Sequence, residues 1–305
     1  MANAIRPFFI LLLSLSSACI TPVRSQNYID LLRIDYSGSP GNAFKSGEGN
    51  STIREWLVDA NVPVPVSKNQ AILTGFQFEH IRAALYPQQD AFTVKILGLK
   101  LGLNQRYSEK WSGTYLLLPK FASDLKRYEG ADFQLGVAAL FKLTQQANLH
   151  FKFGAMYNTD LFGPFVTPLL GIYFQRGKWE INTLLPSMVD LNYQLAPALK
   201  FGLRFNGMVK SFNLNTAFNG MPQYLARVNN ELGGYLGWSF GKIHLVALLG
   251  HSVGRNYRTY ARGDQINLGI SALKLGDDRT QLNADFKDGM LYKFSILYRM
   301  ETGAR

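Results

Sequence analysis

The chain has 305 residues, 28 of them glycine, a single cysteine and a formal charge of +11. That length admits one large core or a closed sheet, and one cysteine excludes a scaffold built on disulfides. The basic excess suits contact with anionic lipids or lipopolysaccharide phosphates.

At the start, Arg6 precedes the apolar run PFFILLLSLSSACI, and TPVRSQ follows it. A basic residue, a short apolar stretch and a small-x-small site describe a secretory signal peptide over residues 1–25, with Val23 and Ser25 at the small positions. The run is too short for a membrane-spanning helix. A lipoprotein signal through Cys19 is the rival reading, but Leu15 lies one place too early for the usual lipobox. Cleavage after Ser25 removes Arg6, Arg24 and Cys19, so the charge falls from +11 to +9 and no cysteine remains. Residues 26–50 form an N-terminal segment of open structure, and residues 51–305 read as one barrel domain. STIREWLVDA (51–60) fits a strand almost as well as a short helix, because Thr52 and Glu55 mimic a capping box.

From residue 92 the period of the chain is two. FTVKILGLKLGLN places Leu97, Leu99, Leu101 and Leu103 on one parity, with Gly98, Lys100, Gly102 and Asn104 on the other. Successive strand residues face opposite sides, so one face is Leu and the other Gly, Lys and Asn. ADFQLGVAALFKL, NLHFKFGAMY, LKFGLRFNGMVK and YKFSILYRM repeat the pattern, each with a Lys or Arg on its polar parity. The strands read as about 10–14 residues, longer than ordinary globular strands and long enough to cross a membrane at a tilt. Short polar turns at 106–110, 144–148, 175–178 and 241–242 alternate with longer loops at 123–130, 158–164, 211–225 and 252–264. That alternation is the outer-membrane barrel arrangement. Trp111, Tyr157, Trp179, Trp238 and Tyr298 suit interfacial girdles.

In hydrocarbon an open sheet edge leaves backbone groups unpaired, so such a sheet must close. The expected fold is therefore all-β, an antiparallel transmembrane β-barrel of about 14 strands, with 12–16 allowed. A soluble sandwich or lipocalin-like barrel would turn the apolar parity inward. Fifteen candidate strands can be marked, from 29–36 to 290–299, and they include 179–185, 189–194 and 264–275. Bacterial barrels have even strand numbers, so one of the fifteen must be false.

LFGPFVTPLLGIYF (161–174), LLPSMVDLNYQLAPALKFGLRFNG (184–207) and GDDRTQLNADFKDGMLYKFSILYR (276–299) resemble an uncharacterised family of outer-membrane β-barrel proteins found in Bacteroidetes. The likeness covers the chain from about residue 50 onward. It implies the fold and an outer-membrane location, and it implies no activity.

Gly250-His251-Ser252-Val253-Gly254 matches the G-x-S-x-G elbow of serine hydrolases. The elbow needs a following helix and a later histidine. RNYRTYARGDQ has no apolar helical stripe, and none of His80, His150, His244 and His251 follows Ser252. His251 and Ser252 are adjacent, so in a strand they face opposite sides. The plain reading is a strand end, with no enzyme. No histidine spacing suggests a metal, and no cofactor is expected. GGYLGWSFG lacks the Lys of a phosphate loop.

The candidate functional set is the inward basic parity: Lys100, Lys142, Lys152, Lys200, Arg204, Lys210, Lys293 and Arg299, with Glu79 and Glu231 on inward parities too. Rings of Lys and Arg favour anions, which points to a passive channel for small anionic solutes. The alternative is a plugged lumen in which these cations pair with carboxylates and the loops act. Expected partners are outer-membrane lipids, lipopolysaccharide and the barrel-assembly machinery. No nucleic acid is expected, because the basic residues keep to one strand parity. The oligomeric state is left open.

Overall fold

The computed structural model describes residues 28–45, 49–87, 90–218 and 221–301. The signal-peptide reading and Cys19 lie outside the described residues. The chain runs through β1 (Tyr28–Ala43), β2 (Asn50–Pro65), β3 (Gln70–Ala83), β4 (Phe92–Arg106) and β5 (Trp111–Ser123). Next come β6 (Phe133–Gln146), β7 (Leu149–Asp160), β8 (Gly163–Arg176), β9 (Trp179–Leu184) and β10 (Met188–Ala196). Then follow β11 (Leu199–Phe218), β12 (Met221–Phe240), β13 (Ile243–Ser252) and β14 (Asn256–Ala261). The chain ends with β15 (Leu268–Ile270), β16 (Leu273–Leu275) and β17 (Met290–Glu301).

Each of β1 to β12 pairs antiparallel with the next. β13 and then β14 continue along β12 as one interrupted strand. β17 lies between β13 and β1, with Tyr36 opposite Phe294, and closes the sheet. The result is a closed antiparallel barrel of fourteen strands. Segment 26–50, open in the sequence, contributes β1 from Tyr28 onward. STIREWLVDA lies in strand β2.

Four sequence expectations are corrected, the first being the loop at 252–264, which holds the wall strand β14 paired with β12. Residues 264–275 form no wall strand. They carry the small hairpin β15–β16, whose first arm lies parallel to β8 at Phe165 and Val166. Residues 211–225 are no loop, for β11 and β12 extend 20 residues each and pair almost to their tip. Residues 158–164 hold only a tight connection at Leu161 and Phe162.

The faces are inverted relative to a soluble protein. Leu97, Leu99, Leu101 and Leu103 of β4 are exposed, as are Phe294, Ile296 and Tyr298 of β17. Asp35, Glu79, Asp190, Arg227, Glu231 and Lys293 are buried. Leaving a large apolar side chain in water forgoes roughly 1.5–3 kcal/mol each. A continuous belt of them calls for hydrocarbon outside the wall. Trp111, Tyr157, Trp179, Trp238 and Tyr298 all stand exposed on that outer surface.

The two ends differ. Tight turns at 66–69, 107–110, 147–148, 177–178, 197–198 and 241–242 gather at one end, with Tyr28 and Glu301 paired there. The opposite end carries the long connection 262–289. The wall is uneven as well. β9 and β10 have 6 and 9 residues, against 20 for the neighbouring β11.

Candidate functional site

A barrel of eight strands is filled by its own side chains, whereas 16 to 18 leave an aqueous channel. Fourteen strands would leave space unless something fills it. What fills this one is the loop-end half of β11 and β12. β9 and β10 stop short, so β11 beyond Asn206 has no β10 to pair with. It leans instead toward the far wall. Asn213 pairs with Ser123 of β5, six strands away around the barrel, and the Asp124 N–H donates to the Asn213 carbonyl at 3.1 Å. The Ser211 hydroxyl donates to Asp160 at 2.9 Å, and Gln134 donates to the Ser211 carbonyl at 3.2 Å. Asn213 donates to Asp132 at 2.7 Å.

At that level the inward residues of β2 to β5 are apolar. Ile53, Ile81, Val94, Ile96 and Ala122 pack on Phe212 and Leu214 of β11, Leu225 of β12, Tyr257 of β14 and Phe286. Phe212, Tyr257 and Phe286 are fully buried. The lumen at the loop end is therefore a hydrophobic core built between opposite walls.

One layer toward the short-turn end, ion pairs replace the apolar contacts. Lys210 of β11 pairs with Glu79 of β3, Arg227 of β12 with Glu55 of β2, and Lys293 with Glu231. The Arg227 side chain also donates to the Tyr257 hydroxyl at 2.7 Å. A polar cavity of about 160 Å³ lies here, lined among others by Arg33, Asp35, Glu55, Glu79, Arg227 and Lys293.

Nearer the short-turn end, Lys100 donates to Asp59 at 2.6 Å and to Asn61 at 2.9 Å. Arg204 donates to Asp190 at 2.6 Å and lies over the Tyr235 ring, 4.5 Å from its centroid. Tyr235 donates to the same Asp190 at 2.7 Å. Arg299 donates to Asp30 at 2.6 Å and stacks on Tyr28 at 3.8 Å. The remaining candidates are different. Lys142 and Lys152 sit directly opposite one another on β6 and β7. Lys152 donates to Asn182 at 2.9 Å, and Lys200 lies 5.9 Å from the Tyr235 ring centroid. Among the described residues no carboxylate comes within 4.0 Å of Lys142, Lys152 or Lys200.

The structure thus divides the eight cations. Lys100, Arg204, Lys210, Lys293 and Arg299 are each neutralised by a carboxylate, and Lys142, Lys152 and Lys200 are not. Sequence reasoning missed the partners Asp30, Asp59 and Asp190, and also Arg227 and Glu55. All lie on the inward parity of their strands, so parity alone could have listed them.

Ser252 is buried and donates to Asp288 at 2.9 Å. The exposed His251 points to the other face, with Nδ1 2.6 Å from the Ser252 carbonyl rather than its hydroxyl. Gly254 takes φ +65°, which ends the strand. Burial raises the Asp288 carboxyl, but the backbone N–H groups of Arg255 and Gly254 and the Ser252 hydroxyl outweigh it. They hold the group below the usual carboxylate range.

This geometry defines a closed antiparallel barrel with an apolar outer belt and a filled, ion-paired interior. The chain belongs to the family described as a domain of unknown function (DUF6268), whose model matches residues 44–264. No curated protein sequence matches it. Among solved structures, an outer membrane channel from Pseudomonas putida F1 aligns at 9% identity over 92% of this chain and 97% of that one, with a TM-score of 0.46. The TodX monoaromatic hydrocarbon channel aligns at 10% identity over 92% and 91%, TM-score 0.43. The NanC porin aligns at 9% over 88% and 100%, TM-score 0.39.

Proposed function

We propose that this chain is an outer-membrane barrel of a Bacteroidetes cell, exported by a signal peptide removed after Ser25, whose lumen is shut at the loop end by its own β11–β12 hairpin. In this state it is no open pore, and contacts with the outside fall to its loop end. The observation that carries the reading is the Asn213–Ser123 pairing, which joins opposite walls across the lumen. The apolar core around Phe212 and the Lys210–Glu79 and Arg227–Glu55 pairs support it.

The test is single-channel recording of the refolded chain in a planar bilayer. Silence is expected at low voltage from protein shown to be folded by its heat-modifiable gel mobility and inserted by its flotation with vesicles. Steady openings in the unmodified protein would sink the shut-lumen reading.

A second reading has one observation in its favour. Lys142, Lys152 and Lys200 have no carboxylate in contact, and the inward Glu180 of β9 offsets only part of their charge, so a positive excess stays at the short-turn end. That placement suits a channel whose hairpin swings aside and passes small anions. Under either reading the chain performs no catalysis, and the barrel-assembly machinery inserts it.

A further inference from the structure

The outer surface carries one feature that the belt does not explain. Positions 54, 56, 62 and 64 of β2, 72, 76, 80 and 82 of β3, and 95, 97, 99, 101 and 103 of β4 share the outward face. Most are apolar and exposed, such as Trp56, Val62, Val64, Ile72, Phe76, Leu97 and Leu99. At the loop end the same face turns basic. Arg54 and Arg82 stand directly opposite one another on β2 and β3, and both are exposed. One step toward the belt, Lys95 of β4 stands opposite His80 of β3, which is itself opposite Trp56. Among the described residues no carboxylate comes within 4.0 Å of Arg54, Arg82 or Lys95. Like charges directly opposite on neighbouring strands destabilise a sheet unless something neutralises them.

Their height is fixed by aromatics. Tyr36, Trp56 and Tyr292 form a cluster with centroids 4.7 and 6.1 Å apart. Tyr292 lies across Gly38, where a Cβ would collide with its hydroxyl, and Gly38 is the register partner of Arg54. Aromatic rings of this kind settle at the headgroup level of a membrane. The cations therefore stand at that level, Lys95 in the row of Trp56 and Arg54 in the row of Gly38 and Tyr292, with hydrocarbon-facing Leu97 and Phe76 below. On other strands the exposed outward positions at this end include Phe133, Leu249 and Met290, with His251 opposite Met290 and no Arg or Lys among them. The basic patch is local and is no general property of the rim.

We propose that the loop-end outer face of β2, β3 and β4 binds the phosphorylated headgroup of an outer-leaflet lipid, with Arg54 and Arg82 gripping the phosphate, Lys95 and His80 beside it, and the acyl chains lying on Leu97 and Phe76. Arg takes phosphate with paired N–H donors, and two on adjacent strands neutralise a charge that water alone would leave repelling. A lipid supplies both chemistries of the patch, phosphate above and hydrocarbon below. The proposal rests on the membrane reading and on the loop end facing outward.

The full chain, folded in detergent and checked for heat-modifiable mobility, is mixed with bisphosphorylated lipid A and followed by native mass spectrometry. Lipid-bound species are expected to persist in the unmodified protein and to fall at least roughly tenfold in Arg54→Glu/Arg82→Glu, as they also fall with dephosphorylated lipid A. The Arg54→Lys/Arg82→Lys variant keeps charge and loses the paired donors, so intermediate binding is expected. If the Glu variant does not fold, Arg54→Gln/Arg82→Gln replaces it. Equal binding of dephosphorylated lipid, or unchanged binding in the neutral or acidic variant, overturns the proposal. Retention of inorganic phosphate at the same concentration, lost in the same variant, would assign a free-anion site and overturn the lipid. A chain that folds in detergent but fails to enter vesicles overturns the membrane reading itself, a separate result.

Discussion

Arg227 is 1% exposed and faces Glu55 from the opposite wall, with the Tyr257 hydroxyl on its guanidinium. The guanidinium is taken fully from water and Glu55 largely so, with 18% of its side chain exposed, so the two charges are tolerated only together. Truncating one leaves the other buried and unpaired, at a cost of about 3–5 kcal/mol. Arg227→Met is therefore expected to lower resistance to urea strongly in vesicle-inserted protein, and Arg227→Met/Glu55→Met to restore most of it. A double variant as weak as the single would show that packing, not charge, dominates there. Asp288 gives a pH-dependent counterpart in the loop, where its carboxylate accepts from Gly254, Arg255 and Ser252. Its folded pKa lies below its unfolded value of about 4, so the stabilisation is present above pH 4 and is lost as pH falls through the lower folded value. Protection of the Gly254 and Arg255 amides should exceed that of Asp288→Asn at neutral pH, and the two should converge at strongly acidic pH. Both examples show what a sequence leaves out at this scale. Parity along a strand names Lys210 as inward, but its partner Glu79 stands 131 residues away. No local pattern connects them.

At the scale of elements, β4, β6, β7 and β17 were legible because one face meets hydrocarbon and the other meets polar groups. Alternation fails where that contrast fails. Ser211, Phe212, Asn213 and Leu214 are buried one after another, and so are Gln223, Tyr224 and Leu225. Both faces of the hairpin touch protein there, so a polar, Asn-rich strand pair reads as a loop. The converse error occurs at 264–275. There the alternation comes from a loop hairpin laid on β8, with Ile266 packed among Phe162, Phe165, Tyr224 and Tyr260. The infolding of β11 has a direct test. Since Cys19 falls in the predicted signal, the mature chain offers a clean background for Ser123→Cys with Asn213→Cys. Register partners lie within the Cα separation a disulfide needs, about 4.4–6.8 Å. The pair should crosslink under mild oxidation and shift gel mobility, whereas Ser123→Cys with Asn206→Cys should not. Absence of the first crosslink in folded protein would place β11 elsewhere.

For the whole molecule, strand count alone does not decide whether a barrel conducts. Fourteen strands enclose room for water, and the short β9 and β10 release the hairpin that takes that room. The sequence carried the belt, the closure and the basic parity, and it offered a plugged lumen as an alternative, yet not the segment that plugs it, because that depends on two strands ending early. The charge layout then predicts how an opened form would behave. Along the inner wall Lys100, Arg204 and Arg299 are cancelled by Asp59, Asp190 and Asp30. Lys142, Lys152 and Lys200 remain. Weakening the hairpin's two cross-lumen pairs with Glu55→Gln/Glu79→Gln should bring openings to a silent protein, and those openings should prefer chloride over potassium. Adding Lys142→Glu and Lys152→Glu should move the reversal potential toward cation preference, because the free charges at that end change sign while the paired ones stay neutral. Openings without any shift would locate the selective constriction away from these lysines. A still-silent double variant, folded by its gel mobility, would mean that the apolar core around Phe212 alone holds the lumen shut. Phe212→Ala would then be the change that opens it.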